Sequence, residues 1–220
     1  MIDTELPFAN RRDAGRRLAA ALAPLGLADP VILALPRGGV PVAYEIARRL
    51  QAPLDILIAR KIGAPGHEEY GIGAIVDGSA PQLVLDEQAA RASGADTAYI
   101  EREVARQLDE IERRRSAYHV GEPVTLAGRN LILVDDGIAT GGTVRVALKA
   151  LASAGARSVT LAVPVAPASV FSELRKMCDR IVVLAIPEPF FAVGAHYRDF
   201  SQTGDAEVRA LLESARSGVP

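Results

Sequence analysis

The fold of this protein is decided by the stretch Leu131-Ile132-Leu133-Val134-Asp135-Asp136-Gly137-Ile138-Ala139-Thr140-Gly141-Gly142-Thr143, which is followed by a helical run over 144–154. Four consecutive apolar residues are typical of a strand that is buried on both faces. The two acids after them cannot share that burial, so we expect them to emerge at the carboxyl edge of a sheet. Open α/β sheets bind their ligands at that edge.

The loop after the two acids has the composition of a phosphate-binding turn. Its three glycines let the backbone turn tightly, and its two threonines add hydroxyl donors at the start of a helix. Amide groups and the positive end of the helix dipole favour a bound phosphate there. The carboxylates of Asp135 and Asp136 can accept hydrogen bonds from a vicinal diol or hold a divalent cation through water. Together these groups predict a ribose 5-phosphate site, against the alternative of an ordinary turn between strand and helix.

A second strand-loop-helix unit lies earlier in the chain. A short buried strand at 31–34 leads into Pro36-Arg37-Gly38-Gly39-Val40, and a helix is predicted from about 41 to 50. Arg37 presents a fixed fork of donors, and the two glycines expose backbone amides without side chains in the way. The unit predicts a site for a second phosphate group at the same sheet edge. The alternative is a tight turn that carries a surface arginine.

Composition limits the kinds of protein that this chain can be. Its 220 residues are 49% hydrophobic, enough for the core of one doubly wound sheet, and we expect a single domain over 1–220. A net charge of -2 gives no global basic field that would attract nucleic acid or an anionic membrane. The one cysteine, Cys178, cannot form an internal disulfide, and no apolar run is long enough to span a bilayer. These features favour a cytoplasmic protein.

The segment 131–143, with its four apolar residues, two acids and A-T-G-G-T loop, resembles the phosphoribosyl pyrophosphate (PRPP) motif of the type I phosphoribosyltransferases. The resemblance extends over 32–50 and 59–76 and is weak elsewhere. It implies an α/β fold with a doubly wound, mostly parallel sheet. It also implies a Mg²⁺-dependent transfer of the phosphoribosyl group from PRPP to a nitrogenous base or related acceptor, with release of pyrophosphate. A homodimer is the common default for such a protein.

The resemblance assigns roles to particular residues. Asp135 and Asp136 would bind the ribose hydroxyls and, through water, Mg²⁺. The 5-phosphate would lie against Ala139, Thr140, Gly141, Gly142 and Thr143. The pyrophosphate would lie against Arg37, Gly38 and Gly39. Arg60 and Lys61 would join Asp135 and Asp136 in catalysis as a lid closes.

A strand is predicted at 54–59, and Arg60 and Lys61 follow at its end. The lid is expected directly after them. Residues 62–73 hold five glycines or prolines, a composition typical of a mobile loop. In the family such a loop closes over PRPP and excludes water. If the reaction needs a general base, the loop offers three candidates, for each of which the alternative is a solvated loop residue: His67, Glu68 and Glu69.

Further elements are predicted from hydrophobic patterning. Residues 72–78 and 82–85 predict two strands of an antiparallel excursion, and residues 86–120 predict a helical insertion. The basic run at 113–115 is typical of a solvated helix end. Residues 168–177 predict a crossover helix between the last two strands of the core, which extends over about 30–186.

The acceptor would be recognised by a hood formed by residues 1–28 and 187–220. The hood begins with a helix over 10–25, whose four arginines we expect on a solvated face, with a binding patch as the alternative: Arg11, Arg12, Arg16 and Arg17. Four aromatic residues of the hood could stack on a planar base, or form a small cluster that anchors the C-terminal helix: Phe190, Phe191, Tyr197 and Phe200.

The acceptor and the role itself have alternatives. Family members that act on 6-oxopurines carry an acid where this chain has Ala139, so the loop is more similar to the adenine and orotate branches. A non-catalytic PRPP sensor that regulates a nucleic acid or a partner is a competing hypothesis, because the same fold serves regulators. The near-neutral charge and the absence of an added DNA-binding domain argue against it. A third hypothesis is a different sugar-phosphate or nucleotide enzyme on the same sheet.

Overall fold

A five-stranded parallel sheet forms the centre of the protein. The computed structural model describes residues 6–77, 81–118 and 123–218. The strands of this sheet are β1 (Pro30–Ala34), β2 (Leu54–Ile56), β6 (Asn130–Val134), β7 (Ser158–Val165) and β8 (Arg180–Ala185). They lie in the order β2-β1-β6-β7-β8, and every neighbouring pair is parallel. The predicted α/β fold with a parallel sheet is confirmed.

Helices cover both faces of this sheet. Successive side chains of a strand point to opposite faces, so a strand covered on both sides is apolar throughout. The face with Ile32 and Ile132 packs against α1 (Arg11–Leu22), α2 (Gly39–Leu50) and α7 (Asp205–Ser217). The face with Leu33 and Leu133 packs against α5 (Gly142–Ala152) and α6 (Phe171–Leu174).

An antiparallel sheet lies beside α5 and corrects the prediction of a mobile loop. Its strands are β3 (Ala59–Ala64), β4 (His67–Val76) and β5 (Gln82–Leu85), in that order. Pro65 and Gly66 form a two-residue hairpin turn, for which Gly66 adopts a φ of 71°. Ile62 and Ile72 are fully buried within the 62–73 segment, so that segment is packed structure. The predicted pairing of β4 with β5 is confirmed; residues 78–80 of their connection lie outside the described residues.

The helical insertion packs on the antiparallel sheet. It consists of two helices, α3 (Glu87–Ala92) and α4 (Thr97–Ala117), where the patterning predicted one segment. Gly94 separates them with a φ of 72°. The predicted crossover helix at 168–177 is also shorter than expected. It is a 3-10 turn at Ala168–Val170 followed by the four residues of α6.

A buried ionic cluster connects the insertion to the parallel sheet and corrects the prediction of a solvated basic run at one of its three arginines, Arg115. Arg115, near the end of α4, is 6% exposed and donates to Asp55 on β2 (3.1 Å) and to Asp77 after β4 (2.7 Å). Burial raises the pKa of Asp77 to about 6, and the bond from Arg115 opposes that shift. Helix periodicity places Arg115 four residues after buried Ile111, on the face that meets the sheet.

The strand order reverses between β1 and β6. From β1 the chain moves outward to β2, whereas from β6 it moves in the other direction to β7 and β8. Crevices at such reversals, outside the carboxyl ends of the strands, are the usual ligand sites of open α/β sheets. In the part of the chain that the structure describes, no helix is both long and apolar enough to cross a membrane.

Candidate active site

The two predicted ligand loops lie side by side at the ends of β1 and β6. A β-carbon built on Gly38 would stand 2.1 Å from Asp136 Oδ2, and one built on Gly39 would stand 2.7 Å from the carbonyl oxygen of Val134. No real side chain fits at such distances, so the close approach requires glycine at both positions. The structure therefore brings the predicted pyrophosphate loop against the predicted ribose acids.

The two acids are poorly solvated. Asp135 Oδ1 accepts a hydrogen bond from the backbone N–H of Asp136 at 2.9 Å, and the Asp136 side chain is 15% exposed. Burial raises the pKa of Asp135 well above its usual range, and the adjacent carboxylate of Asp136 raises it further. Burial also raises the pKa of Asp136, while the guanidinium of Arg11 opposes that shift. Ligands that supply a cation or hydroxyl donors stabilise such a pair.

The predicted phosphate loop surrounds the N-terminus of α5. Gly141 caps that helix in the left-handed conformation, with a φ of 78°. Arg145 holds the loop from one turn further on, where its Nη1 donates to the carbonyl of Thr140 (2.9 Å) and pairs with Glu173 (3.2 Å). A β-carbon on Gly142 would meet no atom within 4 Å. The loop therefore faces open space, as a phosphate site at a helix N-terminus requires.

Arg37 lies at the same edge but contacts the last helix. Its Nη1 is 3.5 Å from Asp205 Oδ1 at the start of α7, and its side chain is 40% exposed. Asp205 also accepts a hydrogen bond from the Tyr118 hydroxyl at 3.1 Å. A partly exposed ion pair of this length is weak, so a phosphate group can compete for the arginine.

Arg60 and Lys61 line a cleft of about 810 Å³ together with Gly142 and Thr143. The cleft lies between the antiparallel sheet and α5, and of the predicted phosphate loop only Gly142 and Thr143 line it. The strand predicted at 54–59 ends at Ile56 as β2. Arg60 and Lys61 belong to the next strand, β3, which begins at Ala59. Arg60 Nε donates to Gln107 Oε1 on α4 at 3.0 Å, and burial lowers the pKa of Arg60.

The candidate general bases lie elsewhere. His67 and Glu68 line a separate depression at the tip of the β3–β4 hairpin, together with Tyr70 and Ser93. Neither residue lines the cleft that Gly142 shares with Lys61. The Glu69 side chain lies outside the part of the chain that the structure describes.

The hood contributes Arg11, which sequence analysis had placed on a solvated face. Arg11 Nε lies 2.7 Å from Asp136 Oδ2, and the Arg11 side chain is 11% exposed. Its guanidinium also stacks over the Phe200 ring, 3.8 Å from the ring centre. A separation of 125 residues leaves no local pattern that could have revealed the pair.

Tyr197 also reaches the acid loop. It is 6% exposed, its ring packs between Phe8 and Phe200, and its hydroxyl donates to the backbone carbonyl of Asp136. The aromatic cluster therefore attaches the 187–202 segment to the N-terminal segment and to the site. Phe191 is 84% exposed.

The acid pair fits a magnesium ion that a substrate helps to hold. No group of three or more His, Cys, Asp or Glu side chains in the described ranges could hold a metal ion by itself. Mg²⁺ usually takes one or two carboxylates and completes its octahedron with phosphate oxygens and water. Asp135 and Asp136 match that contribution, since both are oxygen donors at the mouth of the phosphate loop.

Comparisons with known proteins identify the family of this chain. A family model described as phosphoribosyl transferase domain matches residues 9–198. Two proteins of Mycobacterium tuberculosis, one from each of two strains and both provisionally named phosphoribosyl transferases, are 44% identical to the chain over 209 residues. The match covers 94% of this chain and 47% of theirs, so the chain spans about half the length of those relatives.

A solved structure shares the whole architecture. The crystal structure of TT1426 from Thermus thermophilus has a TM-score of 0.82 and 46% sequence identity to this chain. The superposition covers 94% of this chain and 98% of that one. With the family model matching most of the sequence, this chain belongs to the phosphoribosyl transferase domain family.

Proposed function

We propose that the protein transfers the phosphoribosyl group of PRPP, with Mg²⁺, to a nitrogenous acceptor and releases pyrophosphate. The contact of Gly38 with the Asp136 carboxylate carries the proposal, because it brings a pyrophosphate loop and a diol-binding acid pair together at the strand-order reversal. The phosphate loop at the start of α5 completes the set. Only a ligand with a phosphate, a vicinal diol and a second anionic group uses all three.

The arrangement suggests how the reaction is catalysed. Holding PRPP at both ends leaves the ribose C1 carbon between the two loops, where cleavage of the C1–O bond builds positive charge on the sugar. The guanidinium of Arg37 and the amides of Gly38 and Gly39 stabilise the departing pyrophosphate. Bound Mg²⁺ would neutralise further negative charge on the leaving group. Orientation can contribute up to about 7–11 kcal/mol, so no covalent nucleophile is required.

The loop limits the identity of the acceptor only in part. Position 139 is Ala, so the phosphate loop offers no carboxylate beside the acceptor. We therefore expect an acceptor that needs no base from this position, which disfavours 6-oxopurines.

Pyrophosphate release tests the proposal. Purified protein is incubated with PRPP and Mg²⁺, without acceptor and with each of a panel of purine and pyrimidine bases. We expect release that depends on one base and that falls strongly in Asp135→Asn and Asp136→Asn. Glu87→Gln serves as the matched control, since Glu87 is exposed on α3 and pairs with Arg91 on the same helix. Tight binding of PRPP without release would favour the sensor, and no binding would contradict the site.

A further inference from the structure

Arg11 makes three contacts that together fix its guanidinium. Nε donates to Asp136 Oδ2 at 2.7 Å, Nη1 donates to the carbonyl of Ser201 at 2.7 Å, and the planar group lies over the Phe200 ring. An arginine with only 11% of its side chain exposed has lost most of its hydration. Its position is therefore set by the hood on one side and by the acid loop on the other.

The hood meets the acid loop at two further points. The Tyr197 hydroxyl donates to the backbone carbonyl of Asp136. A β-carbon on Gly137 would stand 2.5 Å from Val193 Cγ1, so that loop residue packs directly under the hood. Backbone, side chain and neighbouring residue of Asp136 are thus all held by residues of the hood.

We propose that Arg11 is a positioning residue for Asp136, and that through it the seating of the hood controls how well the site binds PRPP. The inference rests on the proposed function and adds a residue to the site. Gly38 and Arg11 Nε both lie against Oδ2 of Asp136, and the bond from Arg11 fixes the orientation of this carboxylate toward the ribose hydroxyls. The positive charge also offsets that of two neighbouring carboxylates.

Removing Arg11 therefore has two consequences for PRPP. The Asp136 carboxylate loses the partner that orients it, and the site loses a positive charge close to a polyanionic ligand. Hydrogen bonds to charged groups are strong enough that we expect Arg11→Gln to weaken PRPP binding by about tenfold or more. Arg11→Lys keeps the charge but not the planar fork that spans Asp136 and Ser201, so it should recover part of the affinity.

The neighbouring residue provides a matched control. Arg12 Nε lies 2.7 Å from Glu45 Oε1, and its guanidinium lies over the Tyr44 ring at 5.1 Å from the ring centre. Arg12→Gln thus removes the same kind of ion pair from the same helix without touching the acid loop. Phe200→Leu tests whether the hood fixes Arg11, because it removes the ring under the Arg11 guanidinium and leaves Arg11 and Asp136 unchanged.

The experiment measures the dissociation constant of PRPP by calorimetry with Mg²⁺, together with the free energy of unfolding of each variant. We expect weaker binding in Arg11→Gln and Phe200→Leu, partial recovery in Arg11→Lys, and binding within about twofold of the parent in Arg12→Gln. Unchanged or tighter binding in Arg11→Gln would overturn the inference, as would an equal loss in Arg12→Gln. If the parent protein binds no PRPP, the proposed function falls, and this inference with it. If the parent binds and Arg11→Gln binds equally well, only the inference falls.

Discussion

Gly38 packs against the carboxylate of Asp136 so closely that a β-carbon built on it would stand 2.1 Å from Oδ2. The two residues come after different strands, β1 and β6, and are 98 positions apart in the sequence. Their contact joins the two halves of the candidate active site. A site built on such a contact is sensitive to a single added methyl group.

Gly38→Ala should therefore disrupt ligand binding more than folding. The added methyl displaces the Asp136 side chain from Arg11, at an overpacking cost of about 1–3 kcal/mol in the free energy of unfolding. We expect PRPP binding to fall by at least about tenfold. Gly204→Ala is the control, because a β-carbon there would meet no atom within 4 Å. Equal binding by the two variants in calorimetry would contradict the contact.

Tyr197→Phe should weaken the support of the acid loop. The change removes the buried Tyr197 hydroxyl and leaves the Asp136 carbonyl without its hydrogen-bond donor. This loss costs about 1–3 kcal/mol in the free energy of unfolding. Tyr44→Phe is the matched control, since its hydroxyl contacts Ser214 at an exposed site. Urea unfolding of both variants checks this expectation. A larger loss in Tyr44→Phe would argue against it.

Arg115→Met should destabilise the protein severely. It would leave the carboxylates of Asp55 and Asp77 buried without their cation, and breaking buried pairs in this way costs about 3–5 kcal/mol. The adjacent Arg114→Met removes a more exposed pair with Glu110 and should cost about 0–1 kcal/mol. If chemical denaturation gave comparable losses of unfolding free energy for the two variants, the buried ion pairs of Arg115 would not stabilise the protein as proposed.

Stability should fall as the pH rises from about 4 to about 6 because of Asp77. Its pKa in the folded protein is about 6, above the value of 3.8 for an unperturbed aspartate. The unfolded chain therefore releases this proton first, and the folded state loses the advantage of its protonated Asp77 as the pH rises through about 6. The shift corresponds to roughly 3 kcal/mol.

Asp77→Asn should remove that part of the pH profile of the unfolding free energy. Asp199→Asn provides the control, because a hydrogen bond from the Ser201 backbone lowers the pKa of Asp199, a shift opposite in sign to that of Asp77. A profile of Asp77→Asn that still falls between pH 4 and pH 6 would assign the effect to another group.

Local sequence was sufficient for the elements that carry the ligand loops. Uninterrupted apolar runs predicted β1 and β6, and the glycines and paired acids predicted the ligand loop at the end of each strand. These signals are local, because a doubly covered strand must be apolar throughout and a phosphate turn needs glycine at fixed places. The lid segment was predicted wrongly because glycine and proline mark a tight hairpin turn as well as a mobile loop.

The sequence by itself determined the α/β class and the place of the two glycine-rich loops at the ends of β1 and β6, because each depends on residues within a dozen positions of one another. Only the tertiary structure decided which residues hold the acids. Arg11 and Arg115 sit in basic runs that are indistinguishable from solvated helix faces until packing buries one arginine of each run. Long-range packing selects such partners, since a buried carboxylate must find a cation or a donor wherever in the chain it lies.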